Sequence, residues 1–275
     1  MALKLMYITN IPEVAAVAEK NGVDRIWVDL ETLGKEERQK GMNTVKSQHT
    51  MEDVSRIKNV ITKSQLLVRV NPLHDGTKHE VDEVVARGAD IIMLPMFETA
   101  LEAGRFVDIV NGRAKVLLLA ETKEAEKNMK EIVQVPGVDE IHIGLNDLHI
   151  QHHMKFMFEL LADGTVEKLC NIIKEAKIPY GFGGIASLNG GQLPGSHVVA
   201  EHYRLGSSMA ILSRSFCDVT GKSMEEVENV FRTGISELRN YEEELRHKKD
   251  AFFIANKEVV CEEVEKIVRG RNDGI

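Results

Sequence analysis

Two acidic residues stand 26 positions apart, each closing an apolar run: Glu121 in AKVLLLAETKEAEKNM and Asp147 in VDEIHIGLNDLH. The runs 114–120 and 140–143 are short and mostly apolar, as strands buried on both faces are. About 25 residues is the length of one strand, one loop and one helix, so both carboxylates are expected at the same end of neighbouring parallel strands. Two hard oxygen ligands would converge there. That is the chemistry of Mg2+ or Mn2+, which take one or two protein carboxylates and complete their shells from water and substrate. The same residues admit a plainer reading, in which Glu121 opens a helix against its N-terminal dipole and Asp147 is an N-cap.

Arg69 lies at the same level of the repeat, in QLLVRVNP. A charge inside an apolar strand is rarely buried without a partner. It is either a member of a structural ion pair or the cation that accompanies a metal and an oxyanion substrate.

The succession DLET, LVRVNP, GADIIMLPM, ETKEAEKNM and GVDEIHIGLNDL resembles the HpcH/HpaI family of metal-dependent pyruvate aldolases, relatives of the citrate lyase beta chains, from about Tyr7 to Phe216. The resemblance implies a TIM barrel, a divalent metal on Glu121 and Asp147, and Arg69 beside the enolate oxygen of a bound keto acid. It also implies substrate carboxylate contacts from the backbone of Gly144, Leu145 and Asn146, and a role for Asp29 and Glu31 in orienting water and the base. On first principles Asp29 and Glu31 serve equally as helix-dipole partners or loop anchors. Two positions depart from the family pattern. Thr32 stands where a histidine usually follows the D-x-E glutamate, and Leu119 where a glutamine usually precedes the metal glutamate. The polar segment 32–50, expected as a lid after the second strand, contains His49, whose imidazole titrates near neutral pH and is the best substitute as acid-base group. An exposed loop histidine, or a cap of the following helix, is the alternative for His49.

Apolar residues make up 43% of the 275 and charged ones 28%, so the chain is expected to fold as a soluble globular enzyme. The net charge of -8 and the lack of a Lys/Arg stripe argue against nucleic-acid binding. Cys170, Cys217 and Cys261 are too scattered for a disulfide framework or a zinc pair, which fits a reducing cytoplasm. Pro12 breaks the N-terminus before a signal-peptide core develops, and no apolar run reaches the roughly 18 residues of a membrane helix.

Strand-like runs at 4–8, 24–30, 65–70, 90–94, 116–119, 140–143, 179–182 and 203–205 alternate with helical patterns, which predicts an α/β fold, a (β/α)8 barrel with a C-terminal helical extension. A doubly wound open sheet is the alternative, without its usual glycine-rich phosphate turn after the first strand. The expected division is a catalytic barrel over 1–220 and amphipathic helices over 221–275, which pack on the barrel or, as the resemblance implies, on a neighbouring subunit of a homo-oligomer. The glycine-rich run 181–195 is expected, after its first few residues, as a loop that cradles an anionic substrate tail or acts as a gate. His142 is expected on the sixth strand, and His149, His152 and His153 are expected to be solvated beyond it. Lys115 starts its strand, the wrong end of a barrel for a Schiff base.

The expected function is a divalent-metal-dependent carbon-carbon lyase acting on a small 2-keto acid, with Glu121 and Asp147 on the metal and Arg69, His49, Asp29 and Glu31 in catalysis. A citrate-lyase-beta-like acyl-CoA lyase and a non-catalytic oxyacid-binding barrel are the competing readings.

Overall fold

The computed structural model describes residues 2–34 and 48–272, so most of the expected lid lies outside the described residues. Eight parallel strands close in chain order into a barrel: β1 (Lys4–Ile8), β2 (Arg25–Asp29), β3 (Gln65–Arg69), β4 (Ile91–Leu94), β5 (Lys115–Ala120), β6 (Glu140–Ile143), β7 (Tyr180–Ile185) and β8 (Met209–Leu212). Around them lie α1 (Pro12–Lys20), α2 (Met51–Lys58), α3 (Thr77–Ala86), α4 (Ala100–Val110), α5 (Lys123–Lys127), α6 (Met129–Ile132), α7 (Leu145–Gln151), α8 (Glu159–Ala162), α9 (Thr165–Glu175) and α10 (Gly195–Leu205). Two helices of 23 residues follow, α11 (Met224–Arg246) and α12 (Asp250–Asn272). The first packs its Val227, Phe231, Ile235, Leu238 and Leu245 stripe toward the barrel beside α1, and the second lies along α8 and α10. Among the described residues no helix is long and apolar enough to cross a membrane.

The eighth strand corrects the sequence expectation. Residues 203–205 are the last turn of α10, and the strand is the next apolar run, Met209–Leu212. Gly206 ends the helix in the left-handed region at φ 75°, a conformation that costs glycine nothing. Tyr203 and Leu205 carry strand-like side chains, but the hydrogen-bonded run begins only after this turn.

Strand alternation sorts the barrel into tiers. Residues such as Leu5, Ile26, Val28, Leu66 and Val68 pack outward against the helices, while Met6, Trp27, Leu67, Ile91, Met93, Leu117, Leu119 and Met209 fill the interior. Below them, at the N-terminal end, the fully buried Arg25 donates a fork of hydrogen bonds to Glu140 at 2.6 and 2.7 Å and reaches Gln65 at 3.3 Å. His142, on the same face of β6 as Glu140, donates from Nε2 to the Gly183 carbonyl at 3.1 Å. Burial pushes its pKa down to about 4, so it is a neutral core histidine. Above the apolar tier, at the C-terminal mouth, β2 and β3 end on Asp29 and Arg69.

The lower rim carries a separate lock. Glu19 of α1 accepts the backbone N–H groups of Thr62, Lys63 and Ser64 at 2.8, 2.6 and 2.7 Å, pinning the turn that leads into β3. Burial raises the Glu19 pKa, and the N–H donors of Ser64, Lys63 and Thr62 outweigh it, holding the carboxyl below its ordinary value. A depressed folded pKa gives stability that is present above the unfolded value and is lost as pH falls through the folded one. Glu19→Gln is therefore expected to cost about 1–3 kcal/mol at pH 7 in urea unfolding, with the deficit shrinking toward pH 3. A deficit that does not change with pH would show that the contribution is steric.

Candidate active site

The last residues of β2 and β3 are in register, which brings Asp29 and Arg69 side by side. Arg69 holds both Asp29 oxygens, Nε to Oδ1 and Nη2 to Oδ2 at 2.8 Å each, and its Nη1 lies 3.1 Å from Glu31 Oε2. Asp29 Oδ1 also accepts the Glu31 N–H at 3.2 Å. Under this fork lies Trp27, one full strand repeat below Asp29, with the guanidinium carbon 5.2 Å from its ring centroid. Burial lowers the Arg69 pKa, but Asp29, Glu31 and Glu121 together raise it above its ordinary value, so it stays charged.

Glu121 is the first residue past β5 and is buried. The backbone of Gly144, at the end of β6, comes so close that an added Cβ would lie 2.7 Å from Glu121 Cβ and 2.9 Å from Oε2. Any larger residue would push the carboxylate aside, so glycine is what lets these two strand ends meet. Thr122, not Glu121, caps α5 by accepting the Ala125 N–H at 3.0 Å. Asp147 is not an N-cap either: Gly144 holds that position, and Leu145, Asn146 and Asp147 form the first turn of α7.

His49 lies at the cluster. Its Nδ1 accepts the Asp29 backbone N–H at 3.0 Å, so the neutral ring carries its proton on Nε2. Capping of α2 falls instead to the neighbouring Thr50, whose N–H and hydroxyl donate to Asp53 at 2.8 and 3.1 Å.

Thr32 is tied to Asn71, two residues beyond Arg69. Asn71 Oδ1 accepts the Thr32 N–H at 2.8 Å, the Thr32 hydroxyl at 3.3 Å and the Leu33 N–H at 2.9 Å. Asn71 donates in turn to Glu80 at 2.8 Å. Sequence reasoning missed Asn71; the available signal was its position one strand repeat past Arg69, on the same side of the chain.

Of the three histidines beyond β6, His153 is exposed as expected, whereas His149 and His152 are half-buried. His149 Nδ1 is 3.1 Å from the Leu145 carbonyl, and His152 Nε2 is 2.7 Å from Glu126. The run 181–195 forms most of β7, a turn and the first residue of α10. Lys115 is exposed at the lower rim.

The donor set fits a hard divalent cation. Asp29, Glu31 and Glu121 are each 2% exposed, and the charged Arg69 stands beside them. All the donors are carboxylate oxygens, suited to Mg2+ or Mn2+. Among the described residues no group of three or more His, Cys, Asp or Glu side chains is placed to hold one ion.

A model of the HpcH/HpaI aldolase/citrate lyase family matches residues 5–159, more than half of the chain. A HpcH/HpaI aldolase/citrate lyase family protein from Burkholderia cenocepacia J2315 is 16% identical, with a TM-score of 0.61 over 86% of this chain and 95% of its own. A HpcH/HpaI aldolase from Desulfitobacterium hafniense DCB-2 is 14% identical, with a TM-score of 0.59 over 86% and 93%. The citrate synthase SbnG is 12% identical, with a TM-score of 0.58 over 88% and 95%. At these identities the three structures share the fold. No curated protein matches the sequence.

Proposed function

The chain belongs to the HpcH/HpaI aldolase/citrate lyase family, and from that premise we propose that it is a divalent-metal-dependent carbon-carbon lyase that splits a 4-hydroxy-2-keto acid into a pyruvate-type enolate and an aldehyde. The observation that carries this reading is the gathering of buried Asp29, Glu31 and Glu121 around Arg69 at the barrel mouth. Glu121 and Asp147 would hold the ion. When bound, Mg2+ or Mn2+ supplies a Lewis acid for the 2-keto carbonyl.

The chain's own residues do the rest. Arg69 is fixed by Asp29, Glu31 and the Trp27 ring, and its planar fork keeps further N–H groups for a substrate oxygen. As the C3–C4 bond breaks, its electron pair becomes the enolate, whose oxygen Arg69 stabilises. The C4 hydroxyl loses its proton to give the aldehyde, and a proton added at C3 gives pyruvate. His49 is the group assigned to carry that proton. Its Nδ1 lone pair is occupied by the Asp29 N–H and its Nε2 is already protonated, so the ring accepts a proton only when that bond opens. The Thr32–Asn71 anchor holds the strand end that carries Glu31.

Deuterium exchange into the pyruvate methyl group in D2O with added Mn2+ tests the proposal: exchange is expected, and a wild-type protein that binds pyruvate without exchange would be an oxyacid-binding barrel. His49→Ala is expected to slow aldol cleavage by roughly a hundredfold or more while Mn2+ affinity is retained. A variant that keeps its rate and pH profile would move the proton-transfer role to water held by Asp29 or Glu31.

A further inference from the structure

The barrel mouth is divided. Asp29, Arg69, Glu31 and Glu121 stand at or just past the ends of β2, β3 and β5, and two aliphatic side chains stand at the ends of β1 and β8. Ile8 on β1 and Ile211 on β8 face the interior and are only partly buried, while Met6 and Met209, one strand repeat below them, are fully buried. The exposure of the two isoleucines therefore comes from the open C-terminal end. Ile8 is in register with Trp27, the residue under Arg69, and Ile211 with Gly184, which adds no side chain to the wall. In a closed eight-strand barrel β1 stands across the axis from β5, so Ile8 faces the Glu121 side.

We propose that this arc selects the substrate's far end: the part of the keto acid beyond C3, which leaves as the aldehyde, is an uncharged aliphatic chain lying on Ile8 and Ile211. The assignment rests on the lyase reading, which sets the carboxylate and keto oxygen against the charged residues. A second carboxylate on the tail would be desolvated against two isoleucines. An alkyl tail instead gains from covering them.

The test is a binding series with Mn2+ present, read by fluorescence of Trp27, the only tryptophan in the chain. From pyruvate through 2-oxobutanoate to 2-oxopentanoate, affinity is expected to rise about fourfold per methylene. 2-Oxoglutarate is expected to bind at least tenfold more weakly than 2-oxopentanoate, which has the same number of carbons. Ile211→Ala is expected to flatten the series; if that variant does not fold, the wild-type series decides alone. A flat series, or tighter binding of 2-oxoglutarate, while pyruvate binds and its methyl group exchanges, would overturn the tail assignment and leave the lyase standing. Failure of every keto acid to bind would overturn both.

Discussion

Glu121→Gln and Asp147→Asn are each expected to lose Mn2+ binding in calorimetric titrations that saturate the wild type, a drop of more than about a hundredfold. Partners that merely orient a metal ligand are worth ten to a hundredfold, so removing one of two anionic ligands exceeds that range. The amide keeps the shape of the carboxylate, which matters at Glu121, where Gly144 leaves no room for a larger group. Folding is expected to survive, because the amide occupies the same space and Arg69 keeps its bonds to Asp29 and Glu31. Undiminished Mn2+ affinity in both variants would sink the ligand assignment. Unfolding of Glu121→Gln would show instead that its carboxylate is structural.

Arg69→Lys, which conserves charge, is expected to lose between about ten- and a thousandfold in pyruvate exchange. One oxyanion donor is commonly worth that much. An ammonium is a point charge on a flexible stem: it cannot hold both Asp29 oxygens, reach Glu31 and lie flat on Trp27 while still facing a substrate. A wild-type rate would reduce Arg69 to the structural ion-pair member that its burial alone suggests. The pairing with Asp29 does not decide between the two roles, since a guanidinium that must be preorganised also needs neighbours.

The barrel was legible because seven of its strands are apolar runs separated by helical periodicity, and 116–119 and 140–143 lie within β5 and β6 almost residue for residue. The eighth was misplaced for a local reason: α10 ends on Tyr203 and Leu205, which look like a strand, and only the φ of Gly206 shows that the chain turns there. The nearness of Glu121 to the end of β6 followed from spacing, whereas the partners of Arg69 could not, because they come from a strand 40 residues earlier. Thr32 read as a missing histidine; its bond to Asn71 gives it an anchoring task that no linear motif displays. Arg25 and Glu140 went unread because each follows an aspartate at the start of its apolar run, where a charge reads as an ordinary strand end, whereas Arg69 has apolar neighbours on both sides.

That lower pair bears on how the barrel finds its closure. An eight-strand sheet can in principle be rolled up with different stagger between its first and last strands, and apolar side chains alone discriminate weakly among the results. A fork from β2 that must meet a carboxylate on β6 is satisfied at one stagger only. A slip by one residue would turn Arg25 toward the helices and leave Glu140 only the partly exposed Lys4, 3.7 Å away, and breaking a buried pair costs roughly 3–5 kcal/mol. Replacing both by apolar residues would leave the native closure as stable or more so, while its competitors lost that penalty. The pair thus acts on the alternatives to the fold more than on the fold, and a chain without it would be expected to refold to a mixture.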